Sequence, residues 1–300
     1  MRLVGATAMI VATALIPQLP GDRPAPNPRA TRSVVMARNG AIATSQPLAT
    51  AAGLRVLQSG GNAIDAAVTA AAVLSVVEPT MNGIGGDLFS IVYDAKSQSV
   101  HGLNASGRAP AAATLAEFQT RGIQKIPLRG PLSVSVPGVV DGWNELLTKY
   151  GTITLAQALE PAIRYAREGY GVSEIVSWQW REVEDVLRKD ANAAAVLLPS
   201  GKPPAAGDIF KNPALAASLE QIARGGRDAF YRGAIGKAIA DDLQKKGGLI
   251  TAQDLAANHA DWVEPLSTTY RGYKVLELPP NTQGIVSLEM LNILEGYDVK

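Results

Sequence analysis

Apolar residues recur at helical spacing in two neighbouring segments near the start of the chain. The first predicted helix covers residues 46–59 and is stopped by Gly60-Gly61. Its apolar positions are Leu48, Ala51, Ala52 and Val56. In the second, Asn62 and Asp65 have the spacing of a capping box and precede the apolar run 66–74. A helix without a polar face is buried on both sides, so we expect this one to lie under a sheet.

Two strands and a glycine-rich turn are predicted next. Residues 88–93 and 99–104 have strand character and are joined by a turn over 94–98. The glycine cluster within 82–87 has the spacing G-x-G-G and precedes a strand, whereas a dinucleotide fingerprint follows a strand and opens a helix. We therefore interpret it as a close backbone approach with positive φ, and assign the neighbouring Met81 to packing rather than to a substrate cavity.

The rest of the chain is predicted to be mostly helical. Thr154 and Gln157 form a capping box for a helix that is stopped at Gly169. Further helices are predicted over 137–150, 173–188, 213–223, 234–246 and 285–294, with a short one beginning at Thr251. A late strand over 273–278 is followed by a rigid loop, 279–284. Two central strands, wrapping helices and a late strand indicate an α+β fold built in layers.

Composition excludes several classes of function. Lys and Arg total 28 against 27 for Asp and Glu, and aromatic residues are 5% of the chain, so nothing favours a nucleic-acid partner. The absence of cysteine excludes disulfides and thiolate chemistry. His101 and His259 are the only histidines and are far apart in sequence, so each is interpreted as a surface or hydrogen-bonding histidine. We expect no metal and no organic cofactor.

The first 33 residues are organised differently from the remainder. The apolar stretch 3–16 is shorter than the ~20 residues of a membrane-spanning helix but suits a secretory signal, and five prolines follow it. We predict a signal peptide with a proline-rich tail over 1–33, and hence a secreted or periplasmic protein. A cytoplasmic protein with an N-terminal extension is the alternative. Residues 34–300 show no linker or repeat and are predicted to form one domain.

The order of several short segments carries more information than their periodicity. In sequence order these segments are 44–50, 60–68, 83–89, 135–143, 162–170, 247–256, 270–273 and 278–284. As an ordered set they resemble the gamma-glutamyltransferase family of N-terminal nucleophile hydrolases. The resemblance covers roughly residues 34–300. It corresponds to most of the large-subunit part of the precursor, incomplete at its C-terminal end.

The resemblance implies an αββα sandwich and a precursor that cleaves itself. A new N-terminal threonine then attacks the γ-carbonyl of a glutathione-like donor, with its own α-amine as the base, and the acyl-enzyme passes to water or to an amine. That threonine is expected beyond residue 300, so no catalytic residue is expected in this span, which alone is predicted to be inactive. The expected partner is the C-terminal small subunit of the same precursor. Thr268 and Thr269 resemble a cleavage pair but precede Arg271-Gly272-Tyr273, so we assign them a structural role.

One segment is predicted to bind substrate. Typical family members carry D-F-R-E-M-A-P, whose arginine clamps the donor's α-carboxylate. Here residues 104–110 read N-A-S-G-R-A-P, so Ser106 takes the place of that arginine and Arg108 comes two residues later. On an extended backbone the two would share one face about 6.6 Å apart. We expect Arg108 to bind a substrate carboxylate, with Ser106 hydrogen-bonding nearby. The alternative is that Arg108 caps a turn or pairs with Asp87 or another surface acid.

The same departure leaves the substrate open. The sequence of residues 104–110 resembles that of the family branch that contains oxamate amidohydrolase and cephalosporin-acylase-like members. Amide hydrolysis with little transfer is then as consistent with the sequence as transpeptidation. A non-catalytic binding or scaffold protein made from a truncated family gene is a third possibility, since it would share every motif.

Overall fold

The structure is a computed structural model that describes residues 34–298. The predicted signal peptide and proline-rich tail lie outside the described residues. The elements below belong to a compact unit that begins at Ala41. Residues 34–40 belong to a separate unit and form no helix or strand.

Helices dominate the chain. The helices are α1 (Pro47–Gln58), α2 (Ala63–Val77), α3 (Leu115–Thr120), α4 (Val139–Tyr150), α5 (Leu155–Glu168), α6 (Glu174–Glu182), α7 (Glu184–Leu187), α8 (Ala191–Leu197), α9 (Pro213–Tyr231), α10 (Ala234–Lys245), α11 (Ala252–Ala257) and α12 (Gly284–Glu295). The strands are β1 (Leu88–Asp94), β2 (Ser99–Ala105), β3 (Tyr170–Gly171), β4 (Ile209–Phe210), β5 (Asp261–Val263), β6 (Leu266–Tyr270) and β7 (Tyr273–Glu277). The α+β class is as predicted.

The predicted capping boxes are present. At the start of α2, the backbone N–H of Asn62 donates to Asp65 at 2.8 Å while the Asn62 side chain accepts from the first turn. Equivalent reciprocal caps begin α5 at Thr154 and α11 at Thr251. Helix α2 is buried as expected, but it packs chiefly between α1 and α5, so its main neighbours are helices rather than a sheet.

A three-stranded antiparallel sheet in the order β1-β2-β5 supports the candidate site. The predicted hairpin of β1 and β2 is confirmed, with Leu88 opposite Ala105. Strand β5 was not predicted, because three residues are too few to show a pattern. It pairs with the other edge of β2 and places Asp261 opposite Asn104. Two separate two-stranded sheets, β3-β4 and β6-β7, complete the described strands.

Two predicted helices have different bounds in the structure. The segment 173–188 is broken into α6 and α7 at Val183, whose ψ of 5° is not helical. Helix α9 runs past the predicted end at residue 223 and continues to Tyr231 across a kink at Gly226, where φ is +64°. Glycine takes positive φ at little cost, so the chain can turn there and still continue as a helix. This kink sets the direction of Arg227.

The hydrophobic core lies mainly among helices α2, α4, α5 and α9. Its largest fully buried side chains include Trp143, Trp180, Phe230 and Tyr231. Among the residues that the structure describes, none forms a helix long and apolar enough to cross a membrane.

Candidate substrate-binding site

The turn after β2 sets the direction of the Arg108 side chain. Strand β2 ends at Ala105 and Gly107 has a φ of +81°, so residues 106–108 are not extended. The expectation that Ser106 and Arg108 share one face of an extended strand is therefore wrong. A Cβ at residue 107 would lie 1.6 Å from the carbonyl oxygen of Val136, so only glycine fits there. Despite the turn, both side chains line the same cavity.

That cavity has a volume of about 300 Å³ and lies between the end of β2, the residues around β5 and the loop before α12. It is lined by Asn104, Ser106, Gly107, Arg108, Ala109, His259, Asp261 and Asn281. The lining offers one guanidinium, one carboxylate, one imidazole, one hydroxyl and two carboxamides. Such a surface is suited to a small polar molecule with an anionic group. Both predicted substrate-binding residues therefore face one cavity, and their binding role stays a prediction.

Arg108 is held by two residues that lie two positions apart in the chain. Its Nη2 donates to Asp261 Oδ2 at 2.7 Å and lies 2.9 Å from His259 Nε2. His259 Nε2 is 3.4 Å from the other carboxylate oxygen of Asp261. The alternative of a surface ion pair is thus also realised, although with Asp261 and not with Asp87. Because the Arg108 and Asp261 side chains are each about half exposed (53% and 46%), such a pair holds the arginine only weakly.

The contacts of His259 fit one neutral tautomer. Its Nδ1 lies 3.3 Å from the carbonyl oxygen of Ala257 and can donate to it. Nε2 is then free to accept from the Arg108 guanidinium. His101, the other histidine, bonds to the Ser99 hydroxyl at 2.7 Å. Both are hydrogen-bonding histidines, as the sequence predicted.

Ser106 is bonded to two carboxamides. Asn281 Nδ2 donates to Ser106 Oγ at 3.0 Å, and Asn104 Nδ2 donates to Asn281 Oδ1 at 2.8 Å. The Asn104 side chain in turn accepts from the backbone N–H of Ser106 at 3.0 Å. These bonds join the end of β2 to the predicted rigid loop, 279–284.

Backbone contacts fix the segment that carries Arg108. The N–H of Val136 donates to the Arg108 carbonyl at 2.9 Å, and the N–H of Ala111 donates to Asp254 Oδ1 at 2.8 Å. Gly138 fits closely against the end of β2, since a Cβ there would lie 2.0 Å from the carbonyl oxygen of Ala105. The segment 135–138 is therefore a backbone support for the site.

Sequence reasoning did not assign the four other polar residues of this cavity to the site. Asn104 stands two residues before Ser106, and His259 is one of two histidines; each is a weak signal that could have been used. Asp261 and Asn281 had none, because only the pairing of β5 with β2 and the path of the 279–284 loop bring them to Arg108.

The glycine-rich turn lines a second cavity of about 530 Å³. None of Gly83, Gly85 and Gly86 has a positive φ, so the expected backbone conformation is wrong. The turn is held instead by the Asn82 side chain, which donates to the Glu78 carboxylate at 3.0 Å. Met81 lines this cavity and is 65% exposed, so its assignment to packing is also wrong.

Thr268 and Thr269 lie inside strand β6, opposite Val275 and Lys274 of β7. The Thr268 hydroxyl donates to the side chain of Asn292 on α12. Their contacts are those of hairpin residues. Over residues 34–298, the structure shows no group of three or more acidic, histidine or cysteine side chains arranged to hold a metal ion.

Comparison with known proteins identifies the family. The profile of the family described as Gamma-glutamyltranspeptidase matches residues 49–300. This chain belongs to the gamma-glutamyltranspeptidase family. Among curated relatives, it is 41% identical over 252 residues to the "Glutathione hydrolase-like YwrD proenzyme" of Bacillus subtilis, covering 84% of this chain and 48% of that protein.

Solved structures of the family confirm the fold. A cephalosporin acylase from Bacillus halodurans matches with a TM-score of 0.85 and 42% identity, covering 94% of this chain and 53% of that chain. The gamma-glutamyltranspeptidase of Helicobacter pylori matches with a TM-score of 0.84 and 34% identity, covering 89% of this chain and 78% of that chain. The fold is thus that of the N-terminal nucleophile hydrolases of this family, and the resemblance drawn from the sequence is confirmed. The chain spans about half the length of the curated relatives it matches.

Proposed function

We propose that this chain is the substrate-carboxylate-binding part of a self-processing amide hydrolase and acyltransferase that acts on γ-glutamyl amides such as glutathione. The observation that carries the proposal is the polar cavity in which Arg108 and Ser106 meet, in a chain that belongs to the gamma-glutamyltranspeptidase family.

The free groups of Arg108 suit this role. Both of its close contacts use Nη2, so the N–H groups of Nη1 and Nε are left as donors, and each can bind an oxygen of the substrate. Ser106 Oγ and the Asn281 amide stand beside them and can bind further polar groups of the substrate. The pair with Asp261 is exposed and weak, so a substrate carboxylate can share or replace that partner.

The reacting hydroxyl is assigned to a threonine beyond residue 300. Its oxygen attacks the amide carbonyl, its proton passes through the threonine's own α-amine to the leaving nitrogen, and an ester with the acyl group remains. Water then releases the acid, or an amine takes the acyl group. In this scheme Arg108 contributes by fixing the donor, and positioning of a reacting carbonyl is a large part of such catalysis.

An acylase or amidohydrolase is the second candidate. The identity of 42% to a protein described as a cephalosporin acylase supports it, together with Ser106 in place of the family arginine. Such an enzyme would take a glutaryl-type or oxamate-type amide, in which a carboxylate is present but the α-amino group of glutamate is not. A non-catalytic scaffold is the third candidate.

The C-terminal part of the precursor is the proposed partner. Helix α12 exposes Val286, Met290 and Ile293, and the β1 strand exposes Ile91 and Tyr93. Large exposed apolar patches on a soluble domain mark interaction surfaces. In a precursor as long as the curated relatives, the second half of the chain would cover these faces.

Export is proposed from residues 1–33 alone. The protein would then act in the periplasm or outside the cell, where N-terminal sequencing of the mature protein should find a start after the apolar stretch 3–16. An intact Met1 on the active protein would contradict export by a cleaved signal.

Substrate assays on the protein as its gene encodes it, with every residue after Lys300, test the function. γ-Glutamyl-p-nitroanilide, glutaryl-p-nitroanilide and oxamate separate the first two candidates, since each favours its own substrate. Mass spectrometry of the same sample shows whether the chain has cleaved itself. A protein that stays uncleaved and turns over none of the three substrates would contradict both enzymatic candidates and favour the scaffold.

A further inference from the structure

A charged pair lies at the base of the segment that holds Arg108. Asp141 stands in the first turn of α4 and is almost fully buried, and Arg227 follows the kink at Gly226 in α9. The Arg227 Nε donates to Asp141 Oδ1. Their side chains are 20% and 3% exposed for Arg227 and Asp141, so this pair is far less accessible than the pair of Arg108 with Asp261.

Each member of the pair also bonds to the backbone on one side of His259. Asp141 Oδ2 accepts from the N–H of Ala260 at 2.5 Å. Arg227 Nη2 donates to the carbonyl oxygen of Asn258. The peptide groups before and after His259 are therefore both tied to buried charges, and charge-assisted bonds of this kind are stronger than neutral ones.

The start of α4 is fixed by a third buried group. The Tyr231 hydroxyl donates to the Pro137 carbonyl at 2.8 Å and accepts from the N–H of Asp141 at 3.2 Å. Burial raises the pKa of Tyr231, which keeps this hydroxyl protonated and able to donate. The Arg227 guanidinium also lies 4.8 Å from the centre of the Tyr231 ring. Asp141 thus has little freedom to move.

The exposed contacts of Arg108 cannot supply this order themselves. Half-exposed ion pairs contribute little, because solvent screens them and long side chains lose conformational freedom. The segment 258–261 has β5 only at its end, where Asp261 pairs with Asn104. The position of His259 and Asp261 therefore depends on the bonds that Asp141 and Arg227 make to the backbone of this segment.

We propose that Asp141 and Arg227 are positioning residues for the carboxylate site: they fix the Asn258–Asp261 backbone, so that His259 and Asp261 stay beside Arg108 Nη2 and their individually weak contacts together favour the orientation that receives substrate. This inference rests on the proposed function of Arg108.

Arg227→Lys tests the positioning role most specifically. Lysine keeps the positive charge beside Asp141, but one ammonium cannot reproduce the guanidinium fork that reaches both Asp141 and the Asn258 carbonyl. The matched control is Arg224→Lys on the same helix, where the side chain is 70% exposed and pairs with Glu220. Thermal melting establishes that both variants are folded.

The readout is a comparison of two substrates with the full-length protein. For glutaryl-p-nitroanilide, Arg227→Lys should raise KM roughly tenfold, the loss of about one charge-assisted bond, with kcat within about twofold. For butyryl-p-nitroanilide, which lacks the carboxylate, kcat/KM should not change. Arg224→Lys should affect neither substrate. A KM unchanged for the glutaryl substrate, or raised equally for both, would overturn the positioning role.

A double-mutant cycle separates this inference from the function on which it rests. In an Arg108→Ala background, Arg227→Lys should have no further effect on KM, because the group that it positions is gone. If Arg108→Ala itself leaves KM unchanged, the proposed function fails. If Arg108→Ala raises KM while Arg227→Lys does not, or acts equally in both backgrounds, only the positioning role fails.

A second variant covers the case in which Arg227→Lys does not fold. Asp141→Asn keeps the size of the side chain and one oxygen that can accept from Ala260, but it removes the charge and puts an NH2 group where an oxygen accepts from Arg227. The same KM pattern is expected, together with a shift of the His259 ring signals in NMR spectra. With only two histidines in the chain, these signals are assigned by His259→Gln. Unchanged His259 signals and an unchanged KM in folded Asp141→Asn would overturn the proposal.

Discussion

Helices α2 and α12 are both rich in apolar residues, yet the structure buries one and exposes most of the other. Two thirds of α2 is buried, including Val68, Val73 and Val77. Of the residues of α12, only Gly284 and Leu288 are buried. Two helices with a similar apolar composition therefore differ in burial.

The neighbours of each helix explain the difference. Helix α2 lies between α1 and α5, whereas α12 packs against β6 and β7 on one side only. An apolar helix is at its most stable when both sides are covered. Helix α2 is therefore covered by its own chain, whereas α12 presents the apolar face that we propose the C-terminal part of the precursor covers.

One pair of matched substitutions tests the comparison with the largest expected effect. Val73→Asn places an amide without partners in a fully buried position and should lower the free energy of unfolding by roughly 3 kcal/mol or more. Val286→Asn makes the same change on α12 at a half-exposed position and should alter it by less than about 0.5 kcal/mol. Urea denaturation measures both. Equal losses would show that α12 is as well packed as α2.

The N-terminus of α2 is capped by side chains, whereas that of α12 is not. Burial raises the pKa of Asp65, but hydrogen bonds from Thr152, Asn62 and Ile153 outweigh it and hold that pKa below its usual value. Helix α12 has no side-chain cap. Asp65→Asn should therefore cost about 2 kcal/mol at pH 7, the size of hydrogen bonds to a charged group.

The pH dependence of Asp65→Asn follows from that direction. Because the pKa is lower in the folded state, the stabilisation by ionised Asp65 is complete above its unfolded pKa of about 3.9 and is lost as the pH falls through the folded value. The difference between wild type and variant should shrink below about pH 4 in urea titrations. Asp94→Asn serves as the comparison at a solvated position: bonds from Ser97 and Lys96 also lower the pKa of Asp94, so the same pH trend is expected, reduced by solvent screening. A difference that persists at pH 2 would contradict this origin.

The loop before α12 is where the exposed region meets the candidate site. Asn281→Ala removes the amide that bridges Asn104 and Ser106, so KM for a γ-glutamyl amide should rise about fivefold, the loss of one ordinary hydrogen bond. Asn192→Ala, on α8 and outside the cavity, is the control. An unchanged KM for Asn281→Ala would remove this loop from the site.

The smallest effect is expected at Thr268. Its hydroxyl bonds to Asn292 of α12 at an exposed position, so Thr268→Ala should change stability by less than about 1 kcal/mol. Self-cleavage of the full-length protein should be unaffected, and mass spectrometry should find no new N-terminus at Thr268 or Thr269. A fragment that begins at either threonine would overturn their structural role.

Local patterns in the sequence predicted the parts of the fold that depend on neighbouring residues. The caps at Asn62, Thr154 and Thr251 and the β1-β2 hairpin are all encoded within a few positions, and all are present. The path of the chain past Gly226 could not be predicted, since a glycine with positive φ both breaks a helical pattern and allows the helix to resume.

The candidate site was predictable only in part for the same reason. Arg108 and Ser106 lie in one short segment, 104–110, whose sequence can be aligned with the substrate-binding motif of the family. Their partners Asp261 and Asn281 come from more than 150 residues away, through sheet pairing and a loop path that no local pattern shows. Contacts between residues so far apart in sequence can be identified only once the fold is known.

The most direct test of the central claim is the KM of Arg108→Ala for a γ-glutamyl or glutaryl anilide, measured on the full-length protein beside Arg164→Ala, a partly exposed arginine of α5 paired with Glu160. The account predicts that Arg108→Ala raises KM by about ten- to a hundredfold, the loss of a charge-assisted clamp, while Arg164→Ala leaves it unchanged. A KM for Arg108→Ala equal to that of the wild type would contradict the account.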